Sequence, residues 1–96
     1  MLDKYAQKII DDNANMMVPW YLIAAYAYYV QDDPVVSDHF YDQLAEDLLL
    51  NHRFVEHVHK HHITEEMLKA GTYLGDYPGI IEGAVQHLRE HMEEYT

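Results

Sequence analysis

Cysteine is absent from the chain. This excludes a disulfide framework and any thiolate metal site, and it suits a reducing compartment such as the cytoplasm. Basic residues are scarce: six Lys and Arg stand against 17 Asp and Glu, for a formal net charge of −11. A chain of this charge repels nucleic-acid phosphates, so no direct nucleic-acid partner is expected, whereas a basic protein surface would be attracted. Serine occurs once, at Ser37, among residues that suggest a helix cap rather than a catalytic triad. No basic segment precedes an apolar run at the start, so a signal peptide is not expected. The long uncharged stretch from Asn13 to Val30 contains Pro19 and several tyrosines. It falls short of the about 20 mostly apolar residues of a membrane span, so no membrane partner is expected.

What is present points to one compact domain over residues 1–96, with 49% hydrophobic residues to build a core. Leu2 to Asp11 reads as a first helix, with Leu2, Tyr5, Ile9 and Ile10 on one stripe. The cluster Asp11 to Asn15 breaks it. Pro19 fits the first turn of a second helix running to about Val30, with Trp20, Ile23, Ala24 and Ala27 on one face and Tyr21 and Tyr28 together on another. Pro34 forbids continuation and restrains Asp33 before it. Ser37 or Asp38 then caps a third helix from about Asp38 to Asn51, extendable to Val58, whose inward stripe is Tyr41, Leu44, Leu48 and Val55. The second and third helices are expected to form an antiparallel hairpin over about 18–58. Thr64 caps a short fourth helix with Met67 and Leu68 inward, and Gly71 stops it. A last helix is expected from Pro78 or Ile80 to Tyr95, with Ile80, Ile81, Ala84, Val85, Leu88 and Met92 as its stripe. No strand is apparent, so the fold class is all-α, a small helical bundle around a central hairpin.

The hairpin corner concentrates chemistry. Its sequence, Tyr28-Tyr29-Val30-Gln31-Asp32-Asp33-Pro34-Val35-Val36-Ser37-Asp38-His39-Phe40-Tyr41-Asp42-Gln43-Leu44, brings tyrosines and carboxylates together near two helix ends. The spacing Tyr-Tyr-x-x-Asp-x-Pro-x-x-Ser-Asp-x-x-Tyr-Asp-x-Leu resembles the N-terminal helical module, Ia, of NAD-dependent DNA ligases. The match covers Tyr28 to about Leu48, with a looser echo at His62-Ile63-Thr64. In that family the module recognises the nicotinamide mononucleotide half of NAD. The resemblance implies that Tyr28, Tyr29, Asp38, Tyr41 and Asp42 are the positions that contact the nucleotide. The residue types suit that ligand: aromatic faces attract a cationic ring, and carboxylates attract its charge or bind ribose hydroxyls. His39 and Phe40 depart from the small and acidic residues usual before the family's tyrosine. The other reading of the corner is structural, with Tyr28 and Tyr41 packing the hairpin and the aspartates capping a helix. Few basic residues are at hand to pair with a phosphate, so nicotinamide riboside is expected to bind about as well as the mononucleotide.

Ligation is not expected. The family's adenylated lysine stands in a Lys-x-Asp-Gly context within a large separate domain. Lys4, Lys8, Lys60 and Lys69 are the only lysines, and none has that context. Five of the eight histidines fall between His52 and His62, and two pairs, His57/His61 and His87/His91, are spaced i, i+4. Two such pairs could clasp zinc, but a solvated histidine surface fits the missing cysteines better, and no metal is expected. Gly71, Gly75, Gly79 and Gly83 match no phosphate loop.

The expectation is therefore a non-catalytic nicotinamide-nucleotide-binding or ligase-auxiliary protein. No cofactor is required, NAD or nicotinamide mononucleotide is the ligand, and a protein partner supplies any chemistry. By resemblance, a small solitary protein of this kind suggests a bacteriophage acting in the host cytoplasm. The alternatives are an acidic protein-interaction module that inhibits a host factor or mimics DNA, and a virion structural component.

Overall fold

The longest apolar stretch of the sequence becomes the centre of the fold. The structure, a computed structural model, describes residues 1–96. It contains α1 (Asp3–Asp12), α2 (Met17–Ala25), α3 (Asp38–Asn51), α4 (Glu65–Ala70), α5 (Gly79–Glu90) and α6 (Met92–Tyr95), with no strand. The all-α expectation is met. In α2, Val18 and every residue from Trp20 to Ala25 are buried. A helix apolar on all sides has no face to offer water, so the others assemble around it. Pro19 lies in its first turn, where a missing N–H costs no intrahelical bond.

Around that axis, α1 contributes Leu2, Ala6 and Ile10, α3 contributes Leu44, Ala45 and Leu48, and α5 contributes Ile81, Val85 and Leu88. The 23 buried residues form one cluster with no buried charged or polar residue type. The α2–α3 pair is antiparallel. The end of the second helical segment meets the start of α3 through Tyr28 and Tyr41, while Asn15, ahead of α2, accepts a 2.8 Å bond from the Glu56 amide beyond the end of α3.

The connector Gln31–Ser37 is held from three sides. Val35 and Val36 are buried, and the Leu2 amide donates to the Val35 carbonyl at 2.8 Å. Asp3, in the first turn of α1, accepts from the Ser37 amide at 2.9 Å and from its hydroxyl at 2.6 Å. Ser37 Oγ in turn accepts from the Phe40 amide at 3.1 Å and so caps α3. One carboxylate thus ties the starts of two helices together. From α5, Arg89 donates to the Gln31 side chain and to the Asp33 carbonyl, and pairs with the Asp33 carboxylate at 3.1 Å. Asp32 takes a positive φ of 51° at the bend, a conformation aspartate tolerates better than most residues.

Three expectations are corrected. The second helix does not stay α to Val30: Tyr26–Val30 is a π turn, closed by bonds from the Gln31 amide to the Tyr26 carbonyl and from the Asp33 amide to the Ala27 carbonyl. The third helix ends at Asn51, the nearer of its two expected limits, and the chain then turns to bury Val55 and Ile63. His57 and His61 are therefore not one turn apart on a helix. The last helix breaks at His91 (φ −117°, ψ 19°), where the chain turns into α6. Ile80 is 68% exposed; it lies in the first turn of α5, at the rim of an apolar groove floored by Trp20 and Ile23, rather than in the core. The expected caps stand: Thr64 Oγ1 accepts from the Met67 amide at 3.2 Å, and Gly71 closes α4 at φ 73°.

Candidate functional site

The π turn determines how the tyrosines of the corner are presented. A π turn winds less per residue than an α turn, so neighbouring side chains diverge less around the axis. Tyr28 and Tyr29 both lie in it and stand edge to face, with ring centroids 4.9 Å apart at 81°. Each is about two-fifths exposed. Tyr41, one turn into α3, lies beneath them: its ring is nearly parallel to Tyr28 at 6.3 Å and edge-on to Tyr29 at 6.5 Å. On its inner side Tyr41 stacks on the buried Tyr21 at 5.2 Å and 16°. Tyr21 in turn meets Tyr73 edge to face at 5.9 Å.

These rings, with Asp38 and Asp42 one turn apart on α3, enclose a half-open cavity of about 200 Å³. Its walls are Tyr28, Tyr29, Asp38, Tyr41, Asp42 and Gly71. All five residues singled out from the sequence therefore line one cavity. The sixth, Gly71, was expected only as a helix stop. Its place here follows from the packing of α4 against α3, a long-range fact with no local signal. A side chain at Gly71 would meet nothing within 4 Å, so the positive φ, not crowding, favours glycine there.

Behind the cavity wall the hydroxyls of Tyr21 and Tyr41 are buried beside each other. Burial first, then the neighbouring Tyr21 and Tyr29 hydroxyls, hold Tyr41 far above the ordinary tyrosine range. Burial likewise raises Tyr21. The wall is thus made of aromatic faces and two carboxylates. Such a site attracts a flat cationic group and polar hydroxyls.

The histidine region lines a larger, more open hollow of about 740 Å³, walled by His52, His57, Lys60, His61, Glu65 and Glu66 among others. Residues 52–62 form turns and a short 3₁₀ segment, Lys60–His62. His52 Nε2 bonds the Ile63 carbonyl at 2.8 Å, which spends that ring on the backbone. His61 and His62 rings lie 4.2 Å apart, and His57 and His59 5.4 Å. Burial, then His59, pushes the His57 imidazole down from its ordinary value. No three histidines or carboxylates converge as a metal set. His87 and His91 rings are 4.4 Å apart, but His91 sits at the break and pairs with Glu94 at 3.2 Å.

No helix is long and apolar enough to cross a membrane. No family model, curated protein or solved structure matches the chain.

Proposed function

We propose that the protein is a non-catalytic binder of nicotinamide nucleotides, a ligase-auxiliary module whose Tyr28–Asp42 corner takes the cationic ring. The observation that carries this reading is the convergence of Tyr28, Tyr29, Asp38, Tyr41 and Asp42 on one cavity. The ring sits against Tyr28 and Tyr29, whose faces are open to solvent. Asp38 and Asp42 compensate its charge and accept from ribose hydroxyls. No lysine has the Lys-x-Asp-Gly context of an adenylation site, so any chemistry belongs to a partner.

Affinity is modest. About 200 Å³ is below the ~300–1,000 Å³ of sites that enclose whole drug-sized ligands. A dissociation constant of about 10 μM to 1 mM follows from a half-open cavity with no domain closing over it. Calorimetric titration with nicotinamide mononucleotide and NAD tests the reading: saturable one-to-one heat supports it, and no heat at millimolar ligand removes it.

A second reading, an acidic protein-interaction module, is favoured by one further observation. Leu50, Phe54 and Val58, at and beyond the end of α3, are each about three-quarters exposed on a chain of net charge −11. Large apolar side chains left in water beside acidic ones suit a basic, partly apolar protein surface. Phe54→Ala abolishes partner capture under that reading and leaves nucleotide heat unchanged under the first.

A further inference from the structure

The chain between α3 and α4 is pinned at both ends. Val55 is buried, and the Glu56 amide donates to Asn15 Oδ1 at 2.8 Å. Ile63 is buried at the other end, and its carbonyl accepts from His52 Nε2 at 2.8 Å. Between the pins lie a turn, closed by the Lys60 amide on the His57 carbonyl at 3.1 Å, and the 3₁₀ segment Lys60–His62. Three imidazoles bond the backbone here, in two different ways. His52 Nε2 and His61 Nδ1 face carbonyls, the latter that of Val58 at 3.0 Å. Each carries its proton on that nitrogen and keeps its bond when the ring becomes charged. His57 is the exception. Its Nδ1 accepts from the His59 amide at 3.2 Å, which requires a bare lone pair. A proton on that nitrogen sets a donor against a donor.

We infer that His57 is an acid-sensitive latch: neutral, its Nδ1 holds the turn at residues 57–59, and protonated, it releases residues 57–62 while the bundle stays folded. The ring shares the hollow of about 740 Å³ with His52 from the end of α3, Lys60 and His61 from the 3₁₀ segment, and Glu65 and Glu66 from α4. Release therefore removes one side of that hollow. No carboxylate stands within ion-pair distance of His57; the chain's ion pairs are His52–Glu65, Arg89–Asp33 and His91–Glu94. Glu65 and Glu66 attract the charged ring only from across the hollow. Lys60 opposes it, and so does His59, whose ring centroid is 5.4 Å away. His59 and His62 rings are 6.1 Å apart and His61 and His62 4.2 Å, so each further proton meets a like charge. Burial, then His59, lowers His57 from its ordinary 6.5, so the released chain takes the proton more readily than the latched one. The latched turn is therefore fully stabilised above pH 6.5 and loses that stabilisation as pH falls below it. The hollow shares no residue with the tyrosine corner, so the latch is independent of the nucleotide reading.

Amide exchange and imidazole titration, both followed by NMR from about pH 7.5 to about pH 5, span the range in which histidine changes charge. Each exchange rate is taken relative to the unstructured-chain rate at the same pH, which removes the intrinsic pH dependence. In the wild type the His59 amide is expected to lose about two- to tenfold of its protection, the worth of one neutral hydrogen bond. The midpoint of that loss coincides with the titration of His57, while the amides of the buried Leu48 and Val85 keep their protection. His57→Asn places a side-chain oxygen where Nδ1 stands, as in an Asx turn, and that oxygen does not titrate. Protection at His59 then stays high across the range. His57→Ala shows the low value throughout. An acid loss that persists in His57→Asn overturns the latch, because another group then drives it. A His57→Asn protein that behaves like His57→Ala also overturns it, since ring packing rather than the Nδ1 acceptor then holds the turn. Wild-type protection that is constant with pH, or His57→Ala protection equal to the wild type at neutral pH, has the same consequence. Parallel losses at His59, Leu48 and Val85 overturn it as well, since acid then acts on the whole fold.

Discussion

Tyr41 is the residue on which the account turns, because it belongs to the core and to the cavity at once. Its ring stacks on Tyr21 inside, and its outer side lines the corner cavity. Two consequences can be measured. The first is alkaline titration. Burial, then the Asp76 carboxylate, pushes Tyr73 up to about 12 from an unfolded value of 10.0, and Tyr21, Tyr41 and Tyr77 are raised as well, chiefly by burial. A folded pKa above the unfolded one stabilises the fold fully below pH 10 and loses that stabilisation as pH rises toward the folded value. The melting temperature should therefore fall between about pH 10 and 12, with part of the tyrosinate absorbance appearing only on unfolding. Ionisation of all nine tyrosines near pH 10 in the folded protein contradicts the buried ladder. The second consequence concerns Asp42. Replacement by Asn keeps its shape and removes its charge. Binding of the cationic ring should weaken by about two- to fivefold, on the scale of a solvent-exposed charge pair, with an unchanged melting curve. Retained affinity for the ring removes Asp42 from the site.

Among the elements, the connector Gln31–Ser37 does most to fix the corner. Asp3, Leu2 and Arg89 reach it from parts of the chain some 30 to 60 residues away. Asp3→Ala leaves the half-buried Ser37 amide unpaired and loosens the cap of α3. A loss of about 1–3 kcal/mol is expected, read by denaturant unfolding, and a change under about 0.5 kcal/mol would mean the tie is not formed. These same contacts mark where the sequence stops being informative. Local signals were legible: Pro34 breaks the hairpin, Ser37 and Thr64 cap, Gly71 stops, and the Trp20, Leu44 and Leu48 spacings identify the core. The Asp3–Ser37 bonds and the Arg89 clamp join residues with no shared periodicity, so nothing local announces them. The π turn at Tyr26–Val30 is set by where Gln31 and Asp33 find acceptors, and the sequence Tyr-Ala-Tyr-Tyr-Val reads equally well as α. Ile80 satisfied the helical stripe yet faces outward, because periodicity gives a face and not the depth of its neighbour. Gly71 was legible as a cap but not as a cavity wall, for that depends on the packing of α4 on α3.

At the scale of the molecule, the fold is an apolar axis, α2, wrapped by helices whose outer surfaces are acidic. Burial of the core is what holds it. Leu48, fully buried on α3, should cost about 2–5 kcal/mol on replacement by Ala, read as a lowered denaturant midpoint, and a loss below about 1 kcal/mol would place it outside the core. No three candidate ligands come together for a metal, so a chelator at neutral pH should leave the melting temperature unchanged. A large drop restored by zinc would show that the histidine segment gathers around an ion. The central claim remains the corner's chemistry, and the direct measurement is a chemical-shift titration with nicotinamide mononucleotide, which detects weak binding and locates it. Saturable shifts are expected that begin at Tyr28, Tyr29, Asp38, Tyr41 and Asp42, extend to Gly71, and leave the histidine segment and α6 still. Resonances from Tyr28 to Asp42 that stay unmoved at millimolar nucleotide would contradict it.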